Sequence, residues 1–329
     1  MELSFEQIKS ATFGAVKIFE SNGCISFRRF TDKQTLFNKS NPDEVRKNYS
    51  KSLATASICI DFYSISEEFS VKLKTFVATT QKECYVDLLI DGKLVSHQGY
   101  SNLSDGVICF NVKLPKGNKR FSFYLCNLFA CEIESIELSD GADFLPVVQD
   151  KKFLFIGDSI TQGYTAKYPS MSYANAAARM LGGRAMNHSI GGAFFNANMI
   201  DSDIGFIPDK IFIAYGTNDW SKKKDIDRAD AFVEKIIRLF PKSQIIAITP
   251  IWRGDIEIKE KETLMTFSNM QKRLKEIYAK YSNIHVIDGL ELVPHEEKYF
   301  IDDIVHPNDI GFTEYAQNLV AKMKALKII

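Results

Sequence analysis

Two patterns in one chain predict an α/β domain built on a parallel sheet, preceded by an all-β sandwich or jelly roll. From Lys152 onward, compact apolar strands alternate with helical stretches, the grammar of a parallel sheet wrapped on both faces. Residues from about 20 to 148 instead carry short runs rich in β-branched and aromatic residues, many alternating apolar with polar. That period belongs to half-buried antiparallel strands. At 329 residues the chain is comfortable for two domains. The change of pattern near Asp140-Gly141, with Pro146 close behind, sets the expected domains at 1–148 and 149–329.

Residues 1–19 are expected to lead in as a short helix or strand. The expected strands of the first domain are CISFRRF, TASICIDFYSI, FSVKLKTFVATT, CYVDLLI, GVICFNVKL, RFSFYLCNLF and CEIESIELS. Asp91-Gly92 within LLIDGKLVSHQ is a hairpin cue, and Pro115-Lys116-Gly117-Asn118 marks a second turn. In the second domain KFLFIGD, RAMNHSI, KIFIAYG, SQIIAITP and NIHVIDG read as buried strands. SYANAAARML, stopped by Gly182-Gly183, reads as a helix, as do DIDRADAFVEKIIRLF, TLMTFSNMQKRLKEIYAKY and TEYAQNLVAKMKAL.

Composition excludes several classes. Lys+Arg and Asp+Glu balance at 41 each, so no global charge favours nucleic acid or an anionic membrane surface. No apolar run approaches the roughly 20 residues that span a bilayer. The start, MELSFEQIKSATFG, carries acids early and has no apolar signal region, so a cytoplasmic protein is expected. Six cysteines, Cys24, Cys59, Cys84, Cys109, Cys126 and Cys131, all precede residue 132. No CxxC occurs, and several sit in apolar strand-like runs, which fits buried thiols better than disulfides. His188, His285 and His295 are scattered without HxH or HxxxH spacing, so no metal site is expected from them. His188 could border a pocket, and His285 reads as structural. Neither a phosphate loop nor G-x-G-x-x-G is present, and no cofactor is expected.

In parallel sheets ligands bind at the carboxyl ends of the strands, and polar residues crowd those ends here. Gly157-Asp158-Ser159-Ile160-Thr161 follows the first strand, Asn187-His188-Ser189-Ile190-Gly191-Gly192 the second and Gly216-Thr217-Asn218-Asp219-Trp220 the third. Asp302-Asp303-Ile304-Val305-His306-Pro307 lies near the C-terminus. A serine hydroxyl needs a base before it is a useful nucleophile. Ser159 could serve as that nucleophile or as a helix N-cap. Asp303, three residues before His306, could fix the imidazole tautomer or simply form a surface pair. The Asn218 amide and the backbone N–H of Gly192 and Ser159 could donate to a developing oxyanion, or serve as ordinary turn groups.

These four blocks, in this order on an α/β chain, resemble the SGNH or GDSL hydrolases. The resemblance covers residues of about 150–329 and implies a flavodoxin-like catalytic domain. It implies Ser159 as nucleophile and first oxyanion donor, Gly192 as second donor and Asn218 as third. It also implies His306 as base and Asp303 as the acid that orients it. Gly192 rather than Gly191 takes that role because the family's glycine usually lies five residues after an Asn, here Asn187. A sandwich followed by such a domain is similar to carbohydrate esterases of the acetyl-xylan-deacetylating type, which implies removal of acetyl groups from a saccharide. Trp220 and Trp252 follow strand ends and are expected on the catalytic rim, as a sugar platform or an acyl wall, or else merely to cap the core. Arg253 is placed to bind a substrate anion or to pair with a nearby acid. A lysophospholipase or thioesterase, which would need a long apolar channel, is the competing enzymatic reading. A carbohydrate-binding protein with an inert second domain is the non-enzymatic one.

Overall fold

The computed structural model describes residues 1–40, 45–301 and 304–329. The lead-in is a helix followed by two short strands. α1 (Phe5–Ala11) starts at a capping box in which the Ser4 and Gln7 side chains each take the other's backbone N–H. Then come β1 (Thr12–Phe13), β2 (Lys17–Ser21) and β3 (Cys24–Arg28). Two helices that the strand-rich reading of this region does not contain follow, α2 (Asp32–Ser40) and α3 (Val45–Ser52). The α2 sequence, DKQTLFNKS, buries Gln34 and Asn38 rather than an apolar stripe. Polar tertiary contacts hold it, among them Gln34 Nε2 donating to the Met199 carbonyl at 2.7 Å, and hydrophobic periodicity cannot reveal such a helix.

The remaining sandwich strands are β4 (Cys59–Ser64), β5 (Glu68–Val77), β6 (Glu83–Ile90), β7 (Lys93–Ser101), β8 (Gly106–Lys113), β9 (Lys119–Tyr124), β10 (Phe129–Leu138) and β11 (Leu145–Pro146). One sheet runs β1-β4-β9-β6-β7, with β11 also on β4, and the other runs β2-β3-β10-β5-β8. Strands β3–β10 thus alternate between two antiparallel sheets, except that β6 and β7 are neighbours in one sheet, which is the jelly-roll order. The Asp91-Gly92 hairpin joins β6 to β7, with φ of 49° and 79°, as a tight primed turn requires. Phe62, Phe121 and Phe123 from one sheet and Phe69, Leu73 and Ile133 from the other are buried in one core.

The second part is a five-stranded parallel sheet. Its elements are β12 (Lys152–Gly157), α4 (Ser159–Gln162), α5 (Tyr173–Met180), β13 (Arg184–Asn187), β14 (Lys210–Ala214), α6 (Thr217–Ser221), α7 (Arg228–Leu239), β15 (Gln244–Ile248), α8 (Ile256–Glu260), α9 (Phe267–Tyr278), β16 (Ile284–Ile287) and α10 (Asp309–Ala325). The order β13-β12-β14-β15-β16 is the flavodoxin-like one. Side chains of β12 alternate: Phe153 and Phe155 enter one core with α5 and α10, while Leu154 and Ile156 enter the other with α7 and α9. The order reverses at β12, so the chain ends after β12, β13 and β14 open into one crevice.

All six cysteines are free thiols; five are buried and Cys109 is exposed. Among the described residues no helix is long and apolar enough to cross a membrane.

Candidate active site

Ser159 begins α4 directly after β12. Asp158, not Ser159, is the N-cap: its carboxylate accepts from the Ile160 N–H at 3.0 Å. Capping by Asp158 leaves the serine hydroxyl for other work. A Cβ on Gly157 would stand 2.2 Å from Thr161 Oγ1 and 2.8 Å from the Ala214 carbonyl, so only glycine lets the strand turn this tightly into the helix. Burial pushes the Asp158 carboxyl up to about 6, against the Ile160 N–H and the nearby His306 and Arg253.

The Oγ of Ser159 lies 2.9 Å from His306 Nε2, although 147 positions separate them. His306 is held by a bridge between Phe300 and Pro307, and its ring leans on Tyr164. Asp303 lies outside the described residues.

The predicted oxyanion donors converge on the same place. Ser159, Gly192 and Asn218 line one cleft of about 310 Å³ with His306. The Gly191 N–H is committed to Gln162 Oε1 at 2.8 Å, whereas Gly192 follows with φ of 85° at the cleft wall. Asn218 sits in the first turn of α6 after Gly216, whose φ is 119°. One of its amide protons goes to the Ala193 carbonyl at 3.2 Å, which fixes the amide and leaves the second proton for a ligand. A hydroxyl with a base at hydrogen-bond distance and fixed N–H donors alongside can carry out acyl transfer through a tetrahedral oxyanion.

The sandwich packs against the hydrolase part and helps to shape the cleft, through residues that the sequence did not single out. Lys51 from α3 reaches the cleft and donates from Nζ to the Gly191 carbonyl at 2.5 Å. Arg29, buried at the end of β3, donates to the carbonyls of Ala54, Lys51, Asn187 and Ser189. Burial lowers its pKa to about 9. Asn187 in turn donates to Ser57 Oγ and the Thr161 carbonyl.

Three expectations are corrected. Trp220 is not on the rim: it is 3% exposed, its indole N–H donates to the Met265 carbonyl at 2.8 Å, and its ring packs edge-on against Phe267. The α6 turn rotates it into the core, away from Asn218. Trp252 is half-buried, stacked on His295 and edge-on to Phe300, and does not line the cleft. His188 does not border the cleft either. It is buried against Phe30, with Gln34 Nε2 at 3.3 Å from its Nδ1. Burial, with Arg29 nearby, pushes its pKa down to about 3, so it is neutral. Arg253 does reach the cleft, but it is engaged: Nε and Nη2 grip Asp255 at 2.5 and 2.8 Å, and Nη1 donates to Thr217 Oγ1.

His285 meets Gln244 between adjacent strands, away from the site. Among the described residues no group of three His, Cys, Asp or Glu side chains is arranged to hold a metal ion. A separate cavity of about 20 Å³ beneath Asp158, bordered by Thr161, Thr217 and Tyr315, has room for little more than a water.

Residues 155–313, just under half of the chain, match the model of the GDSL-like lipase/acylhydrolase family. No curated protein matches the sequence significantly. The structure is similar to a salicylyl-acyltransferase from a tetracycline biosynthetic pathway, with a TM-score of 0.80 at 20% identity over 97% of this chain and 96% of that one. It is similar to a protein described as a GDSL-like lipase from Bacteroides ovatus, with a TM-score of 0.75 at 19% identity over 99% and 98%. A family-two carbohydrate esterase from Clostridium thermocellum gives a TM-score of 0.63 at 16% identity over 83% and 92%. At these identities the structural likeness concerns the fold, which in all three spans the sandwich as well as the parallel sheet. The chain therefore carries, over residues 155–313, a GDSL-like lipase/acylhydrolase domain and is an ester hydrolase of that type.

Proposed function

We propose that the protein removes short acyl groups, acetyl above all, from a carbohydrate ester through an acyl-enzyme on Ser159. The observation that carries this is the 2.9 Å contact between Ser159 Oγ and His306 Nε2. As Oγ attacks the ester carbonyl, its proton passes to Nε2. The Ser159 and Gly192 N–H groups and the Asn218 amide receive the oxyanion. Collapse expels the alcohol, which takes the proton from His306, and leaves the acyl group on Ser159. Water, deprotonated by His306, then releases the acid. Asp303 is proposed to orient His306, as the family resemblance implies.

A short acyl group and a polar alcohol suit the cleft. It is small, and its lining is dominated by Lys51, Thr217, Ser221, Lys222, Arg253 and Lys259 rather than by aliphatic side chains. A long acyl chain would need a deep apolar channel, so the lysophospholipase reading loses ground. The carbohydrate esterase of the same fold makes an acetylated sugar the first alcohol to test.

Hydrolysis of p-nitrophenyl esters of increasing chain length tests the reading. Acetate should be the preferred ester. Ser159→Ala and His306→Gln should each lower kcat by at least about 10³-fold. Wild-type turnover in Ser159→Ala, or a preference for long acyl chains, would overturn it.

A further inference from the structure

Neither tryptophan lines the cleft, but Tyr164 brings a ring there. Among the described residues lining the cleft it is the one phenyl or indole side chain. Its position follows from how α4 ends. Gly163 adopts a φ of 83°, its N–H donates to the Ile160 carbonyl at 3.1 Å, and the Tyr164 N–H donates to the Ser159 carbonyl at 2.9 Å. These two bonds make a Schellman end, which turns the residue after the glycine back over the last helical turn. Here that turn begins with the nucleophile. A Cβ on Gly163 would stand 2.6 Å from Asn127 Nδ2 and 2.9 Å from Ser172 Cβ, so the turn is closed to other residues. The ring itself is fixed on several sides. Its centroid lies 5.3 Å from that of His306, with 40° between the planes. Two of its carbons lie 3.5 Å from where a Cβ on Gly191 would stand, a point also 3.5 Å from Ser159 Cβ. The phenol oxygen is hydrogen-bonded to Thr80 Oγ1, on the connection between β5 and β6 of the sandwich. The side chain also packs against the sandwich core.

The alcohol half of the ester has to approach His306, because its oxygen takes the proton from Nε2 as the tetrahedral intermediate collapses. A ring lying on His306 therefore meets the alcohol rather than the far end of the acyl group. With its hydroxyl engaged by Thr80, Tyr164 offers that alcohol a flat apolar surface more than a polar tip. The C–H groups on one face of a pyranose match such a surface. We infer that Tyr164 determines the alcohol specificity of the enzyme: held by Thr80 of the sandwich, its ring is the platform on which the saccharide half of the ester stacks. This rests on the carbohydrate-ester reading of the Ser159 site and gives that reading a specificity residue. It also gives the sandwich a part in substrate choice, through a ring that belongs to the other half of the chain.

The test is the ratio of kcat/KM of the full chain on two acetate esters, one with a sugar alcohol and one without a ring. The first is a methyl glucoside acetylated singly at each hydroxyl in turn, taking the best isomer; the second is ethyl acetate. A ratio measured on one preparation does not depend on how much of a variant is folded. Tyr164→Ala should lower the ratio by about fivefold or more, the equivalent of losing roughly 40 Å² of buried apolar surface. Tyr164→Phe keeps the ring and should retain most of the ratio. Thr80→Val and Tyr164→Phe each release the ring from the sandwich, and each should lower the ratio by about two- to fivefold, the cost of ordering one side chain on binding. The double variant should lower it no further than either alone. A ratio that Tyr164→Ala leaves within about twofold of wild type overturns this inference and leaves the carbohydrate reading intact. A ratio that neither Thr80→Val nor Tyr164→Phe alters overturns the part given to the sandwich. Cleavage of ethyl acetate but of no acetylated glucoside overturns the carbohydrate reading and this inference together.

Discussion

Arg29, at the end of a sandwich strand, donates from Nη1 to the backbone carbonyl of Asn187, 158 residues further along and at the carboxyl end of β13. The same guanidinium reaches the carbonyls of Ser189, Ala54 and Lys51. It is 1% exposed, and the loop it grips leads to Gly192. Replacing Arg29 with Met leaves those buried carbonyls short of donors, at about 1–3 kcal/mol for each that water cannot reach. Arg29→Met should therefore lower stability by at least about 2 kcal/mol in urea unfolding. Activity in the folded fraction should fall through kcat more than KM, because the loop carrying Gly192 loses its tether.

Asn218 tests the oxyanion site. Its amide is fixed by the Ala193 carbonyl, and a donor fixed in advance stabilises charge that appears only in the transition state. Asn218→Ala should lower kcat on p-nitrophenyl acetate about 10²–10³-fold, equivalent to about 3–4 kcal/mol, and leave KM within a few-fold. A large rise in KM at constant kcat would instead mean that the amide binds the ground state.

The sheets and the Ser159–His306 pair were legible in the sequence because each rests on local signals. Apolar runs mark the strands, Asp91-Gly92 marks its hairpin, and short polar blocks mark the strand ends. Features that depend on contacts between distant segments were not legible. α2 buries Gln34 and Asn38, and Gln34 ties it to the α/β part through the Met199 carbonyl, so it has no apolar stripe to read. Arg29 and Lys51 look like ordinary surface cations until the fold brings them to Asn187 and Gly191. Trp220 follows a catalytic-type turn, but position along the chain does not fix which way a helical residue points. The α6 geometry sends Asn218 to the cleft and Trp220, two residues on, into the core.

Asp219 gives the fold a specific pH dependence. It is fully buried, and burial pushes its carboxyl up to about 7; the Phe195 N–H opposes the shift and Asp158 adds to it. Its second oxygen has no hydrogen-bond partner among the described residues. The folded pKa lies above the ordinary carboxylate value of about 3.9. Between these values the folded chain binds the extra proton, so this contribution is full below pH about 4 and is lost as pH rises through about 7. Asp219→Asn removes the titration while keeping an acceptor for Phe195. At pH 8 the variant should be more stable than wild type by roughly 1–3 kcal/mol, and at pH 4 the two should converge. Urea unfolding at both pH values measures the difference. An equal offset at both would show that the gain is not electrostatic.

Trp220 separates a structural indole from a substrate platform. Its ring is enclosed by Phe267 and the Arg253 guanidinium, and its N–H is satisfied by the Met265 carbonyl. Trp220→Phe keeps an aromatic ring but opens a small void and leaves the Met265 carbonyl without its donor. The cost should be about 1–3 kcal/mol of stability. Since the indole does not reach the cleft, KM for an acetylated sugar should stay within about twofold of wild type, which on this scale is under about 0.5 kcal/mol of binding. Thermal unfolding and saturation kinetics on the same preparation decide between the roles. A tenfold rise in KM without loss of stability would return Trp220 to the substrate.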